Sequence, residues 1–264
     1  MSIELLDSIT DATEVTVGKI VVSGSHGGLY PAAVASLAGA RAVVFNDAGV
    51  GLDQAGVAGV LALADVGMAA VGVDCNSCHI GSAKDTLERG VISSVNSVAT
   101  SLGIATGMSV EKAALLMATA TIPHTQLKPH AESRQTVIIG AHGLTVELLD
   151  SASLVAPSDI GKIVITGSHG GLIGGDPTRA IKAPVRAAVF NDAGFGADNI
   201  GTTRLPALDA QGIAAATVSC KTARIGDAAS ALKTGIISDL NLTAQKAHAA
   251  IGMRLSDWLS SLKR

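Results

Sequence analysis

Short apolar runs that break off into polar, glycine-rich turns recur along this chain. Residues 19–23 and 162–166 each lead into Gly-Ser-His-Gly-Gly, and residues 41–46 and 186–191 each lead into Asn-Asp-Ala-Gly. Residues 69–74 and 214–219 each stop beside a cysteine. Apolar runs this short, bounded by turn residues, predict strands buried on both faces. Between them the pattern turns helical, at 31–39, 56–65, 82–88, 93–102 and 110–120 in the first half and at 203–211 in the second. In the second half Gly174, Gly175, Asp176 and Pro177 break up the stretch that follows the first strand.

The repetition is a tandem duplication. Glu4-Leu5-Leu6-Asp7-Ser8 returns as Glu147-Leu148-Leu149-Asp150-Ser151, 143 residues later, and the histidine turn returns at the same offset. Phe45-Asn46-Asp47-Ala48-Gly49 returns as Phe190-Asn191-Asp192-Ala193-Gly194 at an offset of 145, as does Cys75 at Cys220. Collinear matches at nearly one offset identify two copies of one unit. Residues 1–125 form the first, 126–143 a linker with a possible strand at 136–140, and 144–264 the second. His142 and Gly143 echo the histidine turn without its flanking residues and carry no role.

Strands alternating with helices predict an α/β fold: two homologous repeats, each a mainly parallel sheet with helices on both faces, related by a pseudo-twofold axis. In such sheets ligands bind outside the carboxyl ends of the strands. Those ends carry the recurring polar residues, so the candidate site lies there.

His26 and His169 are the leading candidates, as general bases in glycine turns whose amides could face an oxyanion. Asp47 and Asp192 could orient them, although Asn-Asp-Ala-Gly is also an ordinary turn sequence. Ser25, Ser168, Gly27, Gly170, Asn46, Asn191, Cys75 and Cys220 are candidate substrate contacts. The serines are better suited to hydrogen-bonding the turn, and the cysteines to lying buried and inert. Arg224, matching His79 in the first copy, could clamp a substrate carboxylate, or form a surface ion pair.

Strand, His-Gly, helix, strand and catalytic turn, in that order, are similar to the layout of caspase-like peptidases, where His26 and His169 would match the family's histidine. Asp47 and Asp192 occupy the position of its cysteine, a departure that rules against cysteine-protease chemistry by that route.

Composition narrows the rest. Hydrophobic residues make up 48% of the 264 and aromatics 2%, so the core must be built from Ala, Val, Ile and Leu. A net charge of −3 without a basic patch gives nucleic acid no footing. The apolar stretch 54–73 is interrupted by Asp65, and the acidic N-terminus lacks the order of a signal peptide; a soluble, cytoplasmic chain without a membrane partner is expected. Three cysteines make no disulfide framework. Cys75, Cys78 and His79 fit a haem-attachment spacing, but the second copy reads Cys-Lys-Thr-Ala-Arg there. No second ligand pair supports zinc, and neither a dinucleotide fingerprint nor a Walker lysine is present, so no metal and no cofactor is expected. The expected protein is a homo-oligomeric hydrolase of a small molecule, with an amide or cyclic amide C–N bond as the candidate target; the alternative is a non-catalytic binder of a small anionic metabolite.

Overall fold

The computed structural model describes residues 2–140 and 143–262; His142, read above as a chance echo, lies outside them. The first copy runs β1 (Ile3–Leu6), β2 (Ile20–His26), α1 (Leu29–Leu37), β3 (Ala42–Asn46), α2 (Ala58–Ala62) and β4 (Ala69–Val73). It closes with α3 (Ala83–Arg89), β5 (Ile92–Val95), α4 (Ser97–Ser101) and α5 (Val110–Met117). After β6 (Arg134–Ile139), the second copy repeats the plan with β7 (Leu144–Leu149), β8 (Ile163–His169), β9 (Ala187–Asn191), α6 (Arg204–Asp209) and β10 (Ala214–Val218). Then come α7 (Ala228–Thr234), β11 (Ile237–Leu240), α8 (Leu242–Lys246) and α9 (Leu255–Ser261).

The fold is α/β with two mixed, mainly parallel sheets. One has the strand order β1-β2-β3-β4-β5 and the other β11-β10-β9-β8-β7-β6. In each, four strands are parallel, while β5, β11 and β6 pair antiparallel at the edges. Both faces are covered, as the apolar runs predict. Along β2 and β3, Ile20, Val22, Ala42 and Val44 pack toward α4 and α5, whereas Val21, Val43 and Phe45 pack toward α1 and α2. Alternate side chains serve opposite layers, so every position of the strand must be apolar.

The matched strands β1 and β7 and the segment 93–102 depart from the expected pattern. β1 and β7 are full members of the sheets, parallel to β2 and β8. The helix expected at 93–102 is instead the strand β5 followed by α4, because Asn96 accepts the amide of Ala99 and starts the helix there. The strand expected at 136–140 is β6, lying on β7. Among the described residues, no helix is long and apolar enough to cross a membrane.

The copies meet through their Asn-Asp-Ala-Gly turns. Leu52 donates its amide to the Cys220 carbonyl at 2.7 Å, and Ala197 donates to the Cys75 carbonyl at 2.8 Å, the same bond in each direction. Ala48, Ala193, Ile80 and Ile225 form an apolar cluster of two matched pairs. A Cβ on Gly49 would sit 2.9 Å from the Cα of Gly194, and one on Gly194 would sit 2.9 Å from the Cα of Gly49. Both glycines also have positive φ, so only glycine fits this crossing.

Candidate functional site

The histidines stand where a parallel pair falls out of step. Ile20 to Val22 pair with Ala42 to Val44, but His26 pairs with Asn46, so β2 carries two extra residues before its end; β8 does the same between Ile165 and His169. Such bulges re-aim side chains at strand ends. Beyond them the glycine amides are all engaged. Gly27 donates to the Asn46 carbonyl at 3.0 Å and Gly170 to the Asn191 carbonyl at 2.8 Å. Gly28 donates to His26 Nδ1 and Gly171 to His169 Nδ1, each at 3.2 Å. The oxyanion role expected of these turns therefore has no free amide at Gly27 or Gly170.

Those bonds also settle the ring chemistry. Nδ1 is an acceptor in both histidines, which leaves the ring proton on Nε2. Burial lowers the His26 pKa to about 4. His169 lies well below its ordinary range through burial, with the charges of Arg204 and His26 acting in the same direction. Both rings are neutral near pH 7. Neither Nε2 has a protein partner, and no fully buried side-chain polar atom among the described residues goes unpartnered, so both Nε2–H edges open onto the space they line. The imidazoles expected as bases are presented as hydrogen-bond donors.

That space is a cavity of about 720 Å³ to which both copies contribute. Ser25 and Ser168 line it, but their hydroxyls accept the amides of Ile9 at 3.0 Å and Ala152 at 2.9 Å, the turn-holding role expected of them.

Asp47, Asp192, Asn46, Asn191, Cys75 and Cys220 lie elsewhere, in the turns between the copies. Asp47 Oδ1 accepts the amides of Gly49 and Cys75, and its Oδ2 accepts the Ser93 hydroxyl at 2.7 Å. Asp192 Oδ1 accepts the amides of Gly194 and Cys220. The aspartates thus brace turns that hold Ala48 and Ala193 at φ 49; the backbone, not a carboxylate, orients each imidazole. Asn46 and Asn191 accept the amides of Ala48 and Ala193 in the same turns. Burial, then the charge of Asp47 or Asp192, pushes the Cys75 and Cys220 thiols up to about 12, so they stay protonated and unreactive. Asp47, Asp74 and Cys75 bring three potential metal donors within 4.8 Å of one another. The Asp47 oxygens are already engaged, and Ser219 replaces Asp74 in the other copy.

Arg224 does clamp carboxylates, but they belong to the protein. It reaches Asp53 of the first copy at 2.8 Å and Asp227 at 2.9 Å. The matched pair is His79 with Asp198, also at 2.8 Å.

Among the cavity residues that escaped the sequence reading, two bear most on its chemistry. Arg204 is 3% exposed and lies 5.2 Å from the Phe190 ring centroid. It donates to the carbonyls of Gly171, Arg179 and Ala180 and has no carboxylate partner. Burial, then the charge of Arg179, lowers its pKa to about 10, still fully cationic near neutrality. Its Nη2 is unpartnered and, like the imidazole edges, opens onto the cavity. The signal was available: Arg204 falls at the position of Gly59, as their matching amide bonds to Gly170 and Gly27 show. The other is Glu132, on a segment without a counterpart, where repetition offered no signal. The hydroxyls of Ser151, Tyr30 and Ser153 lie near it and favour its carboxylate form.

The chain matches no protein-family model, no curated protein and no solved structure. Its site is read from its own geometry.

Proposed function

We propose that the cavity between the two copies binds a small anionic metabolite. The observation that carries this reading is Arg204, a buried guanidinium whose partners among the described residues are neutral carbonyls and the Phe190 ring, and whose Nη2 edge is left to the cavity. A buried cation without a counter-charge is costly, and a carboxylate or phosphate supplies both the charge and a planar or tetrahedral set of acceptors for it. The neutral Nε2–H groups of His26 and His169 add donors that carry no charge of their own. A volume of about 720 Å³ suits a metabolite rather than a peptide or an ion.

A second reading makes the same cavity the active site of a hydrolase acting on an amide or cyclic amide. The pair of neutral imidazoles favours it, because an Nε2–H donor stabilises negative charge growing on a carbonyl oxygen. In that role His26 and His169 act as electrophiles rather than bases.

Calorimetric titration with inorganic phosphate, oxalate and butyrate tests the first reading. At least one should saturate the wild type, with Kd weakened roughly tenfold or more in Arg204→Met. Equal affinity in the two proteins overturns it. Ammonia release from primary amides, or ring opening of cyclic imides to their half-amides, present in the wild type and lost in His169→Ala, is the result the hydrolase reading requires.

A further inference from the structure

Arg204 is not the only charge the cavity leaves uncompensated. Glu132, half-buried in the lining of the same cavity, has no basic side chain within ion-pair distance among the described residues. The hydroxyls of Ser151 and Ser153 from the second copy and of Tyr30 from the first lie near it and favour its carboxylate form. Burial, with the charge of a second carboxylate, Asp150, nonetheless raises the Glu132 pKa. Asp150 is itself fixed, accepting the amides of Ser133 at 2.8 Å and Ala228 at 3.2 Å. One part of the cavity wall therefore carries a cation without an ion-pair partner, and another carries Glu132, likewise without one, while Lys182 of the same lining is engaged with the Ser153 carbonyl at 2.7 Å.

The two do not cancel each other. No ion pair joins Arg204 to Glu132, Asp150 or any other described residue, and carbonyls and hydroxyls hold the two side chains in place. A simple anion would satisfy Arg204 and leave Glu132 with another negative charge in the same small volume. A ligand carrying both signs satisfies both.

We propose that the ligand is zwitterionic: a carboxylate at Arg204 and an ammonium at Glu132, the chemistry of an amino acid or ω-amino acid. The assignment rests on the anion reading above and adds a second, cationic pole to it. Tyr30, Ser151 and Ser153 become positioning residues, holding the Glu132 carboxylate toward the ammonium. The asymmetry of the copies fits this polarity. In the first copy glycine stands where Arg204 does, and in the second Ile173 stands where Tyr30 does, so each pole is built once.

The test is titration calorimetry on the full chain with β-alanine, γ-aminobutyrate and ε-aminocaproate, each against the unsubstituted acid and amine of the same chain length. The expected result is at least one amino acid binding roughly tenfold or more tighter than its matched acid. Glu132→Gln should erase that preference by weakening the amino acid while the acid, relieved of a repelling carboxylate, binds at least as tightly as before, and Arg204→Met should weaken acid and amino acid alike. Glu132→Gln carries the decision, since it keeps the shape of the side chain and leaves the bonds of Arg204 untouched. Should acid and amino acid bind wild type equally, the zwitterion assignment fails and the anion reading stands. Wild type that binds none of the probes overturns both.

Discussion

Set the two copies side by side and they agree almost everywhere except just beyond the histidine turn. In the first copy the chain runs from Gly28 into α1, which lies so close to α2 that a Cβ on Gly59 would stand 2.1 Å from the Gly28 carbonyl oxygen. In the second copy Gly174 and Pro177 break the corresponding segment into short turns. The space a helix would fill is occupied by the Arg204 side chain, which gathers the carbonyls of Gly171, Arg179 and Ala180. The duplicated frame places two matching histidines on one cavity. This break in the symmetry then places a charge there.

The largest effect expected follows from that difference. Gly59→Ala drives a methyl into the Gly28 carbonyl and the Ala32 side chain, and should cost about 3–5 kcal/mol in urea denaturation as α1 is forced outward. The reverse change, Arg204→Gly, removes donors from three carbonyls that partly regain water, and should cost about 2 kcal/mol. Equal costs would mean that the two segments are interchangeable and that Arg204 is merely filler.

Acid should reveal the histidines next. Their folded pKa values lie below the unfolded value of about 6.5, that of His26 at about 4. Above pH 6.5 both states are neutral and nothing is lost. Between about pH 6.5 and 4 the unfolded chain takes up protons that the folded chain refuses, so stability falls, by about 3 kcal/mol for His26. Below pH 4 the His26 contribution levels off. His26→Gln should flatten that slope, and His169→Gln should flatten it further toward low pH. An unchanged slope in both would show that the rings are solvated rather than enclosed.

These contrasts show what repetition can and cannot reveal. Because strand, turn and histidine recur together, the parallel sheets and the placing of His26 and His169 at matching strand ends were legible from residue order. The roles within the turns were not. Whether the Gly27 amide faces a ligand or the neighbouring strand depends on the two-residue bulge before His26, and register leaves no mark in a run of apolar residues. Asp47 and Asp192 look catalytic in sequence for the same reason that they brace a turn, since a carboxylate suits both. β5 was misread because four residues of mixed polarity satisfy either period. Glu132 acts through a segment that occurs once.

A smaller contrast lies at the edge of each sheet. In the first copy Lys19 meets Glu4 in a partly exposed pair. In the second, Lys162 and Glu147 repeat that pair, and β6 adds Arg134, which reaches Asp159, fully buried at the position of Thr16. The hydrogen bond from Arg134 holds the Asp159 carboxyl below its ordinary range. Burial opposes the same effect on Glu147, but Lys162 and Thr136 hold it low. Both carboxylates thus contribute stability above about pH 4, lost as pH falls through their lower folded values. Asp159→Asn should cost about 2 kcal/mol, less than a fully buried pair because water reaches Arg134 and Lys162, and hydrogen exchange should quicken in β6 and β7 but not in β1. Exchange that quickens equally in both sheets would remove the contrast.

The least effect belongs to the ion pairs that look most like clamps between the copies. Arg224 with Asp53, and His79 with Asp198, cross the boundary at matching places, but the Asp53 and Asp198 side chains are 61% and 73% exposed. Water screens such pairs and competes for both partners, so Asp53→Asn should cost less than about 1 kcal/mol. The boundary rests instead on what solvent does not reach: the cluster of Ala48, Ala193, Ile80 and Ile225, and the amides of Leu52 and Ala197 on the opposing cysteine turns. Gly49→Ala attacks that contact directly, pressing a methyl against Gly194, and should destabilise several times more than Asp53→Asn. If the order is reversed, the copies are joined by charge at their rim, and the cavity between them should then loosen with added salt.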